Sequence, residues 1–174
     1  HFATHGIYDE NNPMLSRLLL TTNQPLTALS KEDGFLHVSE ISDMQIDAEM
    51  VVLSACNTGV GSLISGEGIM GMQRAFFQAG ASTVVVSLWN VFDRSTATLM
   101  NYFYDKLQHT TSEGKSDNGF NLFSFSSSES ASGKYAAFTS NTKAQALSAA
   151  KKKMLTHPIY NHPVYWAPFI VVGK

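Results

Sequence analysis

The sequence predicts an α/β domain with a mainly parallel sheet, and three observations carry that prediction. Short apolar runs at 50–54, 82–88 and 169–172 suit strands buried on both faces, as parallel sheets require. The segments between them space their apolar residues at helical intervals. Strands and helices therefore alternate along the chain, which is the pattern of an α/β fold. Of 174 residues, 44% are hydrophobic and 11% aromatic, enough for one sizeable core. A single domain over residues 1–174 is expected.

Taken in order, residues 1–4 (His-Phe-Ala-Thr) read as the end of a strand whose beginning lies upstream, so an N-terminally truncated domain is expected. The run at 50–54 follows. Ile69, Met72, Gln73, Phe76 and Ala79 then fall on one helical face, and Gly80 is a natural stop. The β-branched run at 82–88 is the next strand. Asp93, Ser95 and Thr96 offer helix N-caps, with Met100, Phe103, Tyr104 and Leu107 recurring behind them. Asn141 or Thr142 can cap a further helix that carries Ala146, Leu147, Ala150 and Met154 on one face. Lys151, Lys152 and Lys153 near its end suit the negative end of the helix dipole. Residues 109–140 are rich in Ser, Gly, Thr and Asn and read as a flexible insertion between the two helices.

Composition excludes several classes. Twelve Lys and Arg against fourteen Asp and Glu give a net charge of −2, which disfavours a nucleic-acid surface. One cysteine excludes an internal disulfide and a cysteine-rich zinc site, and fits a reducing, cytoplasmic setting. No run approaches the length of a membrane-spanning helix, and no secretory leader opens the chain. Neither a cofactor nor a metal is expected. His157 and His162 have no further ligands at suitable spacing, and the glycines from Gly59 to Gly68 lack the Lys-Ser/Thr ending of a phosphate loop.

In parallel sheets, ligands bind beyond the carboxyl ends of the strands. Two strand ends carry reactive side chains: Thr4-His5-Gly6 and Ser54-Ala55-Cys56-Asn57. If both strands run parallel in one sheet, His5 and Cys56 emerge at one edge. They could then act as base and nucleophile, with the backbone amides of Gly6 and Cys56 as an oxyanion hole. From spacing alone, an inert buried thiol and a satisfied structural histidine explain these residues as well.

The segments HFATHG, VVLSACNTGVG, GEGIMGMQRAFFQAGASTVVVSLWNV, LMNYFYDKL and HPVYWAPFIVVG occur here in one order. Together they resemble the CHAT domain, a caspase-like module often found beside TPR repeats. The resemblance implies a caspase-like three-layer α/β/α sandwich lacking its first part. It also implies a cysteine endopeptidase in which His5 and Cys56 form the dyad, acting on protein or peptide substrates. TPR repeats or another sensor domain in the same parent chain would regulate it. The same fold working as a catalytically silent interaction module is the alternative. By the same resemblance, Trp89 and Asp93, after the run at 82–88, fall where caspase-like peptidases build the substrate pocket. Asp93 also reads as an N-cap. His1 is expected to be structural, and Asp9 and Glu10 to be solvated loop acids. The stretch 162–168 is expected to dock the last strand with Trp166 buried.

Overall fold

A computed structural model describes residues 1–9, 11–21, 33–54, 56–57, 67–112 and 140–173. The elements are β1 (His5–Ile7), β2 (Arg17–Leu19), β3 (Phe35–His37), α1 (Val38–Asp43), β4 (Val51–Leu53), β5 (Cys56–Asn57), α2 (Glu67–Gln78), β6 (Thr83–Ser87), α3 (Asp93–Ser112), α4 (Ser140–Leu155) and β7 (Phe169–Gly173). Single 3-10 turns at Pro13–Leu15 and Pro163–Tyr165 complete the list.

The strands form two small sheets, ordered β3-β2-β1-β5 and β4-β6-β7. A parallel bridge between Phe2 and Leu53 joins them, closed by the Phe2 amide on the Val52 carbonyl at 2.8 Å and the Ser54 amide on the Phe2 carbonyl at 3.2 Å. Residues 2 and 5–6 thus run parallel to residues 53 and 56–57. The expectation of a mainly parallel sheet is corrected here. β1 pairs β5 and β4 pairs β6 in parallel, but β1–β2, β2–β3 and β6–β7 are antiparallel. The nine residues between β1 and β2 are fewer than a parallel crossover needs, so that pair returns antiparallel.

Helices cover the central strands from both sides, and the strand alternation decides which side chain meets which helix. Val51, Leu53, Val84 and Val86 pack with Ile69, Met72 and Phe76 of α2 and Val38 and Ile41 of α1. Val52 and Val85 point the other way, onto Leu99, Phe103 and Leu107 of α3 and Ala146, Ala150 and Met154 of α4. Phe76, Phe103 and Phe169 are fully buried, and each such ring contributes about 1.5–3 kcal/mol through removal from water. Ala146 and Ala150 of α4 are buried in one cluster with Leu99 and Phe103 of α3.

The end of α2 is built as the sequence suggests, while α3 and α4 begin ahead of their expected caps. Gly80 closes α2 at φ +105°, and the Gly80 and Ala81 amides donate to the Phe77 and Phe76 carbonyls at 3.1 and 2.9 Å. Asp93 lies in the first turn of α3 rather than at its cap. The Phe92 carbonyl accepts from the Thr96 amide at 2.9 Å, which gives Phe92 the cap position. Asp93 still complements the positive end of the helix. α4 begins at Ser140, ahead of the expected caps. From α4, Lys143 is buried, and its ammonium donates to the Glu49 carbonyl at 2.6 Å and to Thr83 Oγ1 at 3.1 Å. Burial lowers its pKa, while the nearby Glu49 charge opposes that shift. α3 runs to Ser112, so it takes the first residues of the expected insertion, and 113–139 lie outside the described residues.

The stretch before β7 docks that strand as expected. The Leu88 amide donates to the Pro168 carbonyl at 3.1 Å, and Lys151 donates to the Ala167 carbonyl at 3.2 Å. Trp166 is half-buried rather than buried. Its indole N–H needs an acceptor and finds the Asn161 carbonyl at 3.1 Å near the surface.

Candidate active site

The site begins with strand register. β1 and β5 pair in parallel with His5 opposite Cys56 and Gly6 opposite Asn57. Opposed residues of neighbouring strands lie on the same face of a sheet, and successive residues alternate. The spacing of 51 residues between His5 and Cys56 thus resolves into adjacent positions on neighbouring strands. The two backbone amides expected to hold an oxyanion, those of Gly6 and Cys56, belong to the same pair of strands.

The two faces of the segment 1–8 have different fates. Phe2 packs into the α1/α2 core, with its ring 5.4 Å from that of Phe76. Gly6 follows on this face and is buried. A Cβ at Gly6 would stand 3.2 Å from the Tyr8 ring, and one at Gly68 would stand 2.9 Å from Tyr8 Cβ. Tyr8 therefore occupies the space that two glycines leave, one on β1 and one at the start of α2. This is a packing reason for Gly6 that stands beside its expected catalytic one. Gly59, Gly61 and Gly66 lie outside the described residues.

His1 and His5 alternate to the other face. His5 is exposed. His1 takes the structural role expected of it. Its Nδ1 stands 2.9 Å from the Tyr104 hydroxyl on α3, and its Nε2 stands 2.9 Å from Ser54 Oγ at the end of β4. Burial pushes the Tyr104 hydroxyl up to about 12, so it stays protonated at neutral pH. This chain ties α3 to the strand end two residues before Cys56. Neither Ser54 nor Tyr104 stands out as a partner in sequence, because the contact spans 103 residues from His1 to Tyr104.

Asp9 is not aimed at His5. Its Oδ1 accepts the Asn11 and Asn12 amides at 3.0 and 2.8 Å, and its own amide donates to Ser16 Oγ at 3.0 Å. Asp9 therefore organises the turn after β1. Glu10 lies outside the described residues. Trp89 and Asp93 follow β6, which runs parallel to β4, the strand that leads to Cys56. Both are exposed. The Trp89 indole donates to the Val164 carbonyl at 3.2 Å, and among the described residues no contact joins Trp89 or Asp93 to His5.

No three or more metal-ligating side chains cluster among the described residues, and no helix there is long and apolar enough to cross a membrane.

With this geometry in place, comparison with known proteins defines the class. A family model for the CHAT domain matches residues 1–117, and the chain belongs to the CHAT domain family. It is similar to tetratricopeptide repeat protein 28 of Homo sapiens, with 25% identity over 143 residues, covering 82% of this chain and 4% of that protein. The Mus musculus protein of the same name is 26% identical over 140 residues, covering 80% of this chain and 4% of its own length. The chain thus spans a small fraction of these relatives, whose names record tetratricopeptide repeats.

Proposed function

We propose that this chain is the catalytic domain of a regulated cysteine endopeptidase with a caspase-like three-layer sandwich. The observation that carries the reading is the parallel register of His5 with Cys56, within a chain of the CHAT family. In this reaction the Cys56 sulfur attacks a peptide carbonyl carbon, and His5 takes the thiol proton. The Gly6 and Cys56 amides hold the oxyanion. His5 returns the proton to the leaving amine as the C–N bond breaks. Water, deprotonated by His5, then attacks the thioester and releases the acid, restoring the thiol. Trp89 and Asp93 line the approach at the same sheet edge and contact the substrate there. No cofactor is needed for this chemistry. TPR repeats elsewhere in the parent chain control access to the site, and the protein works in the cytoplasm on other proteins.

The test is replacement of Cys56 by Ala in the full-length protein. Loss of cleavage of its cellular substrate is expected, and unchanged processing would overturn the proposal. One observation favours a second reading, a regulatory module without catalysis: the relatives are named for their repeats and not for peptide cleavage. Under that reading, Cys56→Ala leaves partner binding and cellular output intact.

A further inference from the structure

The antiparallel part of the sheet carries an unclaimed set of side chains beside His5. Ile7, Arg17 and His37 form one row across β1, β2 and β3. The same register carried back along β1 sets Leu19 across from His5, and Leu19 is paired with Phe35. Contacts confirm a common face for the β2 and β3 members. The Arg17 guanidinium lies over the Phe35 ring at 4.8 Å, and the Phe35 and His37 rings meet edge-on at 6.2 Å.

Arg17 is poorly satisfied there. Among the described residues its Nε is buried with no hydrogen-bond partner, and one terminal N–H reaches the Leu15 carbonyl at 3.5 Å. Asp33 is held by the Phe35 amide at 2.9 Å and by His37 Nε2 at 3.3 Å. A half-buried guanidinium stacked on an aromatic ring matches a carboxylate better than any other peptide side chain. Leu19 beside it is 38% exposed, which leaves an apolar surface next to the cation.

We propose that Arg17 binds a carboxylate side chain of the polypeptide substrate, while Leu19 and Phe35 seat an adjacent apolar residue. The proposal rests on the peptidase reading for what brings a peptide to this face. Diagonal neighbours across strands lie about 7–8 Å apart, and an extended peptide advances about 3.3–3.6 Å per residue. The selected acid therefore falls about two or three residues from the scissile bond.

The test uses the full-length protein with Cys56→Ala and fluorescent peptides of Leu-containing sequence. A single Glu is moved through successive positions, each peptide being matched by its Gln counterpart. At one position the Glu peptide is expected to bind about tenfold tighter than the Gln peptide. That preference is expected to vanish in Arg17→Gln and to persist in part in Arg17→Lys. Equal binding of Glu and Gln peptides at every position, failure of both to bind, or a preference that survives Arg17→Gln would overturn the proposal. If Arg17→Gln fails to fold, the Glu–Gln comparison on the protein with Arg17 intact still decides. Turnover with Cys56 present separates the two ideas. Acid-selective binding without cleavage refutes the peptidase reading alone, and cleavage indifferent to the acid refutes the role of Arg17 alone.

Discussion

Removing the Tyr104 hydroxyl is a sharp perturbation, because its effect should change with pH in a known direction. In Tyr104→Phe the 2.9 Å hydrogen bond to His1 Nδ1 is lost. A neutral hydrogen bond is worth about 1 kcal/mol net. The His1 ring is exposed, so its freed nitrogen turns to water and no larger penalty arises. The loss at pH 7 should therefore be about 1 kcal/mol. The alkaline behaviour is more diagnostic. Burial raises the hydroxyl from 10.0 to about 12, so its contribution is fully present below pH 10 and is lost as pH rises toward 12. That displacement corresponds to at most about 2.7 kcal/mol, and partial exposure of the ring cuts it to about 1 kcal/mol through solvent screening. The gap between the natural chain and Tyr104→Phe should thus close between pH 10 and 12. Urea unfolding followed by the fluorescence of Trp89 and Trp166 measures the gap, and tyrosinate absorbance measures the titration directly. A gap that stays constant with pH, or a Tyr104 titration centred near 10, would refute the reasoning.

Two further predictions concern the scaffold. Gly80→Ala places a side chain at φ +105° with its Cβ 2.9 Å from the Ile46 carbonyl oxygen. Left-handed strain of about 1–2 kcal/mol and overpacking of about 1–3 kcal/mol outweigh the unfolded-state gain of about 0.4–1 kcal/mol, so calorimetry should record a clearly lowered Tm. Lys143→Met strands the Glu49 carbonyl and Thr83 Oγ1 that the ammonium now satisfies; chemical denaturation should show a loss of about 1–3 kcal/mol.

Long periodic elements were legible in the sequence. α2 and α3 carry buried residues at the expected positions, from Ile69, Met72 and Phe76 to Met100, Phe103 and Leu107, because a helical face repeats often enough to be counted. β4, β6 and β7 were legible as apolar runs. β2, β3 and α1 were not. Three strand residues such as Arg17–Leu19 contain too little alternation to announce a strand, and α1 spans six residues. Missing that antiparallel part also produced the expectation of a mainly parallel sheet. The pairing of His5 with Cys56 followed from two strand ends and one topological rule. The links of His1 to Ser54 and Tyr104, and the Arg17 row, needed coordinates because distant segments form them.

Reaction of the full-length protein with a peptidyl electrophile, read by mass spectrometry of the modified peptide, decides whether His5 and Cys56 act together. Covalent addition at Cys56 is expected, and it is expected to disappear when His5 is replaced by Ala with the fold and the probe concentration unchanged. A Cys56 that stays unmodified in the activated protein, or that reacts equally without His5, would contradict a dyad at this strand pair.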